Sequence, residues 1–127
     1  MQHYETPLLT ALVDGRTEVA KRLIACGANL EAPNMIRSPD GSGFAHTALH
    51  TTTSRQIRWA FDLLVTSGAN VDRQTTLGWT AMHFAAQKDD TIAVASLLRG
   101  GASWGLRDVD GNRPVDLAGP KVEPLIS

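Results

Sequence analysis

The sequence predicts an all-α protein, a solenoid of stacked helix–turn–helix units joined by turn-rich finger loops. Three observations carry this. Segments recur along the chain at a fixed offset. Each recurrence opens on a threonine followed by a short apolar segment, which reads as a capped helix. Each then runs through a second apolar stretch with helical spacing and ends at a glycine, which reads as a left-handed helix cap.

At an offset of 33, Thr47-Ala48-Leu49-His50 falls on Thr80-Ala81-Met82-His83. Leu64 falls on Leu97, and Ser67-Gly68-Ala69 on Gly100-Gly101-Ala102. One step further, Gly78-Trp79-Thr80-Ala81-Met82 falls on Gly111-Asn112-Arg113-Pro114-Val115. Toward the start the offset becomes 41: Thr6-Pro7-Leu8-Leu9 matches Thr47 to His50, and Gly27-Ala28-Asn29 matches Gly68-Ala69-Asn70. The difference is an eight-residue insertion within residues 32–45. The chain therefore reads as one domain, 1–127. It holds units over about 2–32, 42–74 and 75–107, a partial unit over 108–118, and a tail over 119–127.

Within each unit, Thr6, Thr47 and Thr80 stand as N-caps of a first helix of about two turns. Pro7 and Pro114 follow at the first helical position, where a missing N–H costs nothing. The second helix shows its apolar stripe as Ile57, Ala60, Phe61 and Leu64 in unit two, and as Ala93, Val94, Leu97 and Leu98 in unit three. Gly27, Gly68 and Gly101 end the second helices. An extended stretch with turn residues then leads to the next threonine.

Units of 33 residues with T-x-L-H at the first helix and L-L-x-x-G-A at the end of the second resemble the ankyrin repeat. The resemblance covers roughly residues 4–118. It implies that His50 and His83 hydrogen-bond to backbone between units. It also implies that the finger tips and the first (inner) helices line a concave face that binds other proteins.

The chain departs from this pattern in four places. Unit three keeps two small residues after its histidine, Ala85 and Ala86, whereas unit two has Thr51, Thr52 and Thr53. Threonine costs up to about 0.7 kcal/mol relative to alanine in a helix. The inner helix of unit two is thus expected to be weak unless its hydroxyls bond back to carbonyls. The insertion, with Pro33, Pro39, Asp40, Gly41, Ser42 and Gly43, reads as loop interrupted only by Met35-Ile36. It serves either as an unstructured excursion or as a partner-contacting finger. Its Ser38-Pro39 also matches the minimal site of a proline-directed kinase. At the far end, Gly119-Pro120 stops the fourth unit before a second helix. The tail then folds back to lay Val122, Leu125 and Ile126 over Leu97 and Leu98, or the protein continues, or a partner covers the end. At the near end, Lys21 and Arg22 replace apolar residues on the second helix, as an end repeat requires.

Composition narrows the function. The net charge is −1, with acids and bases well mixed, against a basic nucleic-acid binder. No apolar run is long enough to span a bilayer, and residues 1–20 lack a signal-peptide pattern. A lone Cys26, expected to be partly buried, fits an intracellular setting, cytoplasmic with the nucleus as the alternative. His46 and His50 suggest a metal pair at helical spacing. With Thr47 as the N-cap, however, His46 lies before the helix and shares no face with His50. No phosphate loop, zinc-type cysteine pair or nucleophile elbow appears. The expectation is a non-enzymatic module with no cofactor and no metal.

The resemblance places Glu5, Val13 and Asp14 of unit one on the concave face. Unit two adds Phe44, His46, Ser54 and Arg55. Unit three adds Thr76, Leu77, Trp79, Gln87 and Lys88, and the partial unit adds Val109, Asp110 and Asn112. The partner-binding set is Phe44, His46, Arg55, Leu77, Trp79, Gln87, Lys88, Asp110 and Asn112. Trp79 beside Leu77 is the expected anchor, with packing against the neighbouring finger, on Phe44 or His46, as the alternative. Its replacement by alanine should weaken binding while leaving the fold's stability nearly unchanged. Trp104 is read as structural. Trp59, read as outward-facing, motivates the alternative of a structural or self-associating unit in place of a monomer. A domain from a larger scaffold protein is a further alternative.

Overall fold

The computed structural model describes residues 2–4, 6–37 and 43–126. Glu5 and Ser38-Pro39 lie outside the described residues. Three antiparallel helix pairs follow one another: α1 (Pro7–Val13) with α2 (Thr17–Ala25), α3 (Ala48–Ser54) with α4 (Arg58–Thr66), and α5 (Ala81–Gln87) with α6 (Thr91–Arg99). Two single-turn helices, α7 (Pro114–Leu117) and α8 (Glu123–Ile126), close the far end. The inner helices α1, α3, α5 and α7 pack in one row, and α4 packs on α6 behind them.

The caps form where residue type demands them. Thr6 Oγ1 accepts from Leu9 N at 3.1 Å, and Thr80 Oγ1 from His83 N at 3.3 Å. Pro7 and Pro114 open α1 and α7. Gly27, Gly68 and Gly101 all adopt positive φ after the outer helices. Between the inner and outer helices a left-handed residue is needed in each full unit. Gly15 supplies it in unit one, whereas Gln56 (φ 57°) and Asp89 (φ 52°) take that conformation in units two and three.

The core is one cluster running the length of the stack. Leu9, Leu12, Phe61, Leu64, Met82, Val94 and Leu97 are fully buried, each contributing about 1.5–3 kcal/mol of transfer free energy. Lys21 and Arg22 are exposed, leaving α2 polar at the near end. Unit spacing is held by side chains too: Glu31 accepts from Asn70 N at 2.8 Å, and Asp72 accepts from Ser103 N at 2.7 Å.

Four local expectations change. The insertion is built of strands: β2 (Asn34–Arg37) pairs antiparallel with β3 (Gly43–His46), and β1 (Gln2–Tyr4) adds on the other side of β2. Ile36 sits opposite Phe44, and Met35 opposite Ala45. The loop formers are concentrated between the strands, so the apolar flanks are free to pair. Asn34, overlooked in the sequence, is 1% exposed and accepts from Thr6 N at 2.9 Å, tying the hairpin to the start of α1. Cys26 is exposed, because it follows α2 at its C-cap. Trp59 is half-buried and packs on the core, while Trp104 is 51% exposed. The tail does fold back, but with Val122 and Ile126 buried and Leu125 50% exposed.

What docks the tail is a carboxylate. Asp89 accepts from Lys121 N at 3.1 Å and from Val122 N at 2.9 Å. A Cβ on Gly119 would come within 2.6 Å of the Asp89 carboxyl carbon, so only glycine allows this approach.

Candidate protein-binding site

The fingers of unit three and of the partial unit are each turned around a side-chain acceptor. Thr75 Oγ1 accepts from Leu77 N and Trp79 N, both at 3.2 Å. Asp108, 33 residues later, accepts from Asp110 N and Asn112 N, both at 2.9 Å. Adjacent fingers are also bonded to each other. Thr76 N donates to Ala45 O at 3.2 Å, Ala45 N to Thr76 Oγ1 at 2.8 Å, and Val109 N to Leu77 O at 3.0 Å. Gly78 permits the last contact: a Cβ there would stand 2.9 Å from Val109 N. Leu77 and Val109 are thereby set side by side, 52% and 66% exposed.

Beneath the fingers, the two repeat histidines hold the units together. Thr47 N donates to His50 Nδ1 at 2.9 Å, so the proton sits on Nε2, which donates to Arg73 O at 2.7 Å. His83 repeats this with Thr80 N at 3.1 Å and Asn112 O at 2.9 Å. Both ring nitrogens of each are engaged with backbone, which leaves none to ligate a metal. Burial lowers His50 to about 4, outweighing the opposing carbonyl of Arg73, so the ring is neutral at physiological pH.

The remaining predicted residues fall in three places. Arg55, Gln87 and Lys88 are exposed where α3 and α5 end. His46 is half-buried in β3 and lines a groove of about 220 Å³ with Glu31, Pro33, Arg73 and Thr76. Phe44 has its backbone in β3. Asp110 is exposed, and Asn112 is half-buried with its backbone committed to His83 and Asp108.

Trp79 differs from expectation. Its ring is half-buried, stacked on His83 at 5.8 Å and tilted against Phe84 at 4.9 Å between centroids. It is a wall of its own inner helix, so its removal disturbs packing as well as any contact. These contacts lead to a different expectation, a loss of stability on its removal. Phe84, not singled out in the sequence, is half-buried beside it. The available signal was its place next to His83, where unit two carries Thr51.

These features define a class, the ankyrin-type solenoid of paired helices with stacked fingers. Family models for ankyrin repeats match residues 3–35 and 63–118. The chain belongs to the ankyrin-repeat family. It is 30% identical over 96 residues to the mouse (Mus musculus) RelA-associated inhibitor, covering 76% of this chain and 11% of that protein. The chicken (Gallus gallus) nuclear factor NF-kappa-B p105 subunit is 25% identical over 147 residues, covering 91% of this chain and 15% of that protein. The chain thus spans a small part of the length of these relatives. The crystal structure of the ankyrin repeat domain of Bcl-3, an IkappaB-family protein, superposes with a TM-score of 0.84 at 24% identity, over 96% of this chain and 51% of that one. No helix among the described residues is long and apolar enough to cross a membrane.

Proposed function

We propose that this chain is a non-enzymatic, intracellular module that holds a partner protein on the face formed by its fingers and by α3 and α5. The observation that carries this is the apolar pair Leu77 and Val109. Both are more than half exposed, and a backbone bond between fingers holds them in register. Rigid, exposed apolar residues lose little entropy on binding, which favours their use as contacts. Phe44, His46, Arg55, Trp79, Gln87, Lys88, Asp110 and Asn112 complete the surface. The relatives support a protein partner: one is named for its association with RelA. Trp59, half-buried on the core, no longer argues for self-association.

The test compares wild type with Leu77→Asp/Val109→Asp as bait in a cell-extract pull-down. Proteins retained by wild type should be lost by the double variant, with the helical circular dichroism spectrum unchanged. Equal retention by both overturns the reading.

A further inference from the structure

The concave face is chemically polarised along its short direction. At one edge stand the fingers with Leu77 and Val109. At the other edge the inner helices end, and their C-cap residues are Arg55 on α3 and Lys88 on α5. Neither cation makes an ion pair or hydrogen bond among the described residues, whereas Arg58 and Arg113 are paired with Asp90 and Asp116. The equivalent position on α1 is Asp14, so of the three inner-helix C-caps those of units two and three are cationic. The finger edge carries exposed charge of both signs, Asp110 with Arg73 and Arg107. Between the edges lie Trp79 and Phe84.

Dimensions follow from the helices. Packed neighbours such as α3 and α5 stand about 8–10 Å apart. Residues i and i+2 of an extended segment share one face about 7 Å apart, so two such acids lie within reach of the flexible Arg55 and Lys88 side chains. Seven residues of α5 span about 10 Å from the finger base to Lys88. A short extended segment therefore reaches from the apolar fingertips to the cations.

Resting on the concave-face reading, we propose that Arg55 and Lys88 form a paired anchor for an acidic segment of the partner, whose neighbouring aliphatic or aromatic side chain sits on Leu77 and Val109. Both cations also lie at helix C-termini, where positive charge is mildly stabilising on its own. A purely structural role would leave ligand choice unaffected.

The experiment selects short random peptides displayed on phage against wild type, Arg55→Glu/Lys88→Glu and Leu77→Ser/Val109→Ser. Wild type should enrich peptides pairing acids with a large apolar residue. Their affinity should fall about tenfold in the charge-reversed variant and fall as salt is raised. The charge-reversed variant should enrich basic peptides instead. If enriched peptides lack acids, or bind both charge variants alike, the acidic anchor is wrong. If they nonetheless lose binding in the Leu77→Ser/Val109→Ser variant, the concave-face reading survives that failure. Peptides indifferent to every substitution, or no enrichment at all, overturn both.

Discussion

Units two and three carry nearly the same inner-helix motif, Thr-Ala-Leu-His and Thr-Ala-Met-His, yet they build different surfaces from it. In both, the histidine accepts from the capping threonine's N–H and donates to a carbonyl of the next finger. They diverge immediately after. Unit three continues with Phe84, Ala85 and Ala86, and Trp79 stacks on its helix from the finger base. Unit two continues with Thr51, Thr52 and Thr53, and its finger is the end of a three-stranded sheet. Thr52 donates to Ala48 O at 2.9 Å and Thr53 to Leu49 O at 2.7 Å, so their buried hydroxyls are satisfied within the helix. Thr51 Oγ1 is buried with no hydrogen-bond partner among the described residues. Shared bonds fix unit spacing, and the residues between them are left to shape the face.

The largest test of the shared part is acid. His50 is held at about 4 in the folded chain against an ordinary 6.5. Between those values the unfolded chain takes up the proton and the folded chain does not. Stability is therefore complete above about pH 6.5 and falls as pH drops toward 4, by up to about 3 kcal/mol. Asp90 adds to the loss further down. Burial would raise it, but Ala93 N–H, Gln56 and Arg58 together hold it below its ordinary 3.8. Urea midpoints across the histidine window check this, and a flat profile there would show His50 charging without cost.

The difference between the units is sharpened by Trp79→Ala. Loss of its contacts with His83 and Phe84 should cost about 2 kcal/mol of stability as well as partner affinity. An unchanged melting temperature would mean the ring contributes no packing. The smallest effect runs the other way. Thr51→Ala removes an unpartnered buried hydroxyl and a poor helix former, and should raise stability by about 1 kcal/mol in urea unfolding. A loss of stability would reveal a bond or packing role for that hydroxyl.

Much of the architecture was legible because it rests on local chemistry. Threonine and proline at helix starts and glycine at helix ends are set by backbone needs that recur in every unit. A register of 33 residues makes them unmistakable. Surface chemistry was less legible. Trp59, Trp79 and Trp104 each departed from expectation, since how far a ring is covered depends on neighbours distant in sequence. Gln56 and Asp89 gave no sign of being left-handed, because side-chain anchors such as Asp90 and the tail offset a strain that glycine would avoid.

By itself the sequence determined the recurrence of the units, their caps and the place of the insertion, while the bonding role of the histidines was implied by the resemblance to ankyrin repeats. These depend on spacing and on groups that satisfy nearby backbone. Only the tertiary structure decided that the insertion pairs as strands and that Asp89 docks the tail. It also decided that Leu77 and Val109 meet at the fingertips, while Arg55 and Lys88, at the opposite edge, make no ion pair among the described residues. The β1–β2 pairing, the Asp89 dock and the Leu77–Val109 contact each bring together residues about 30 or more positions apart, which no local pattern encodes.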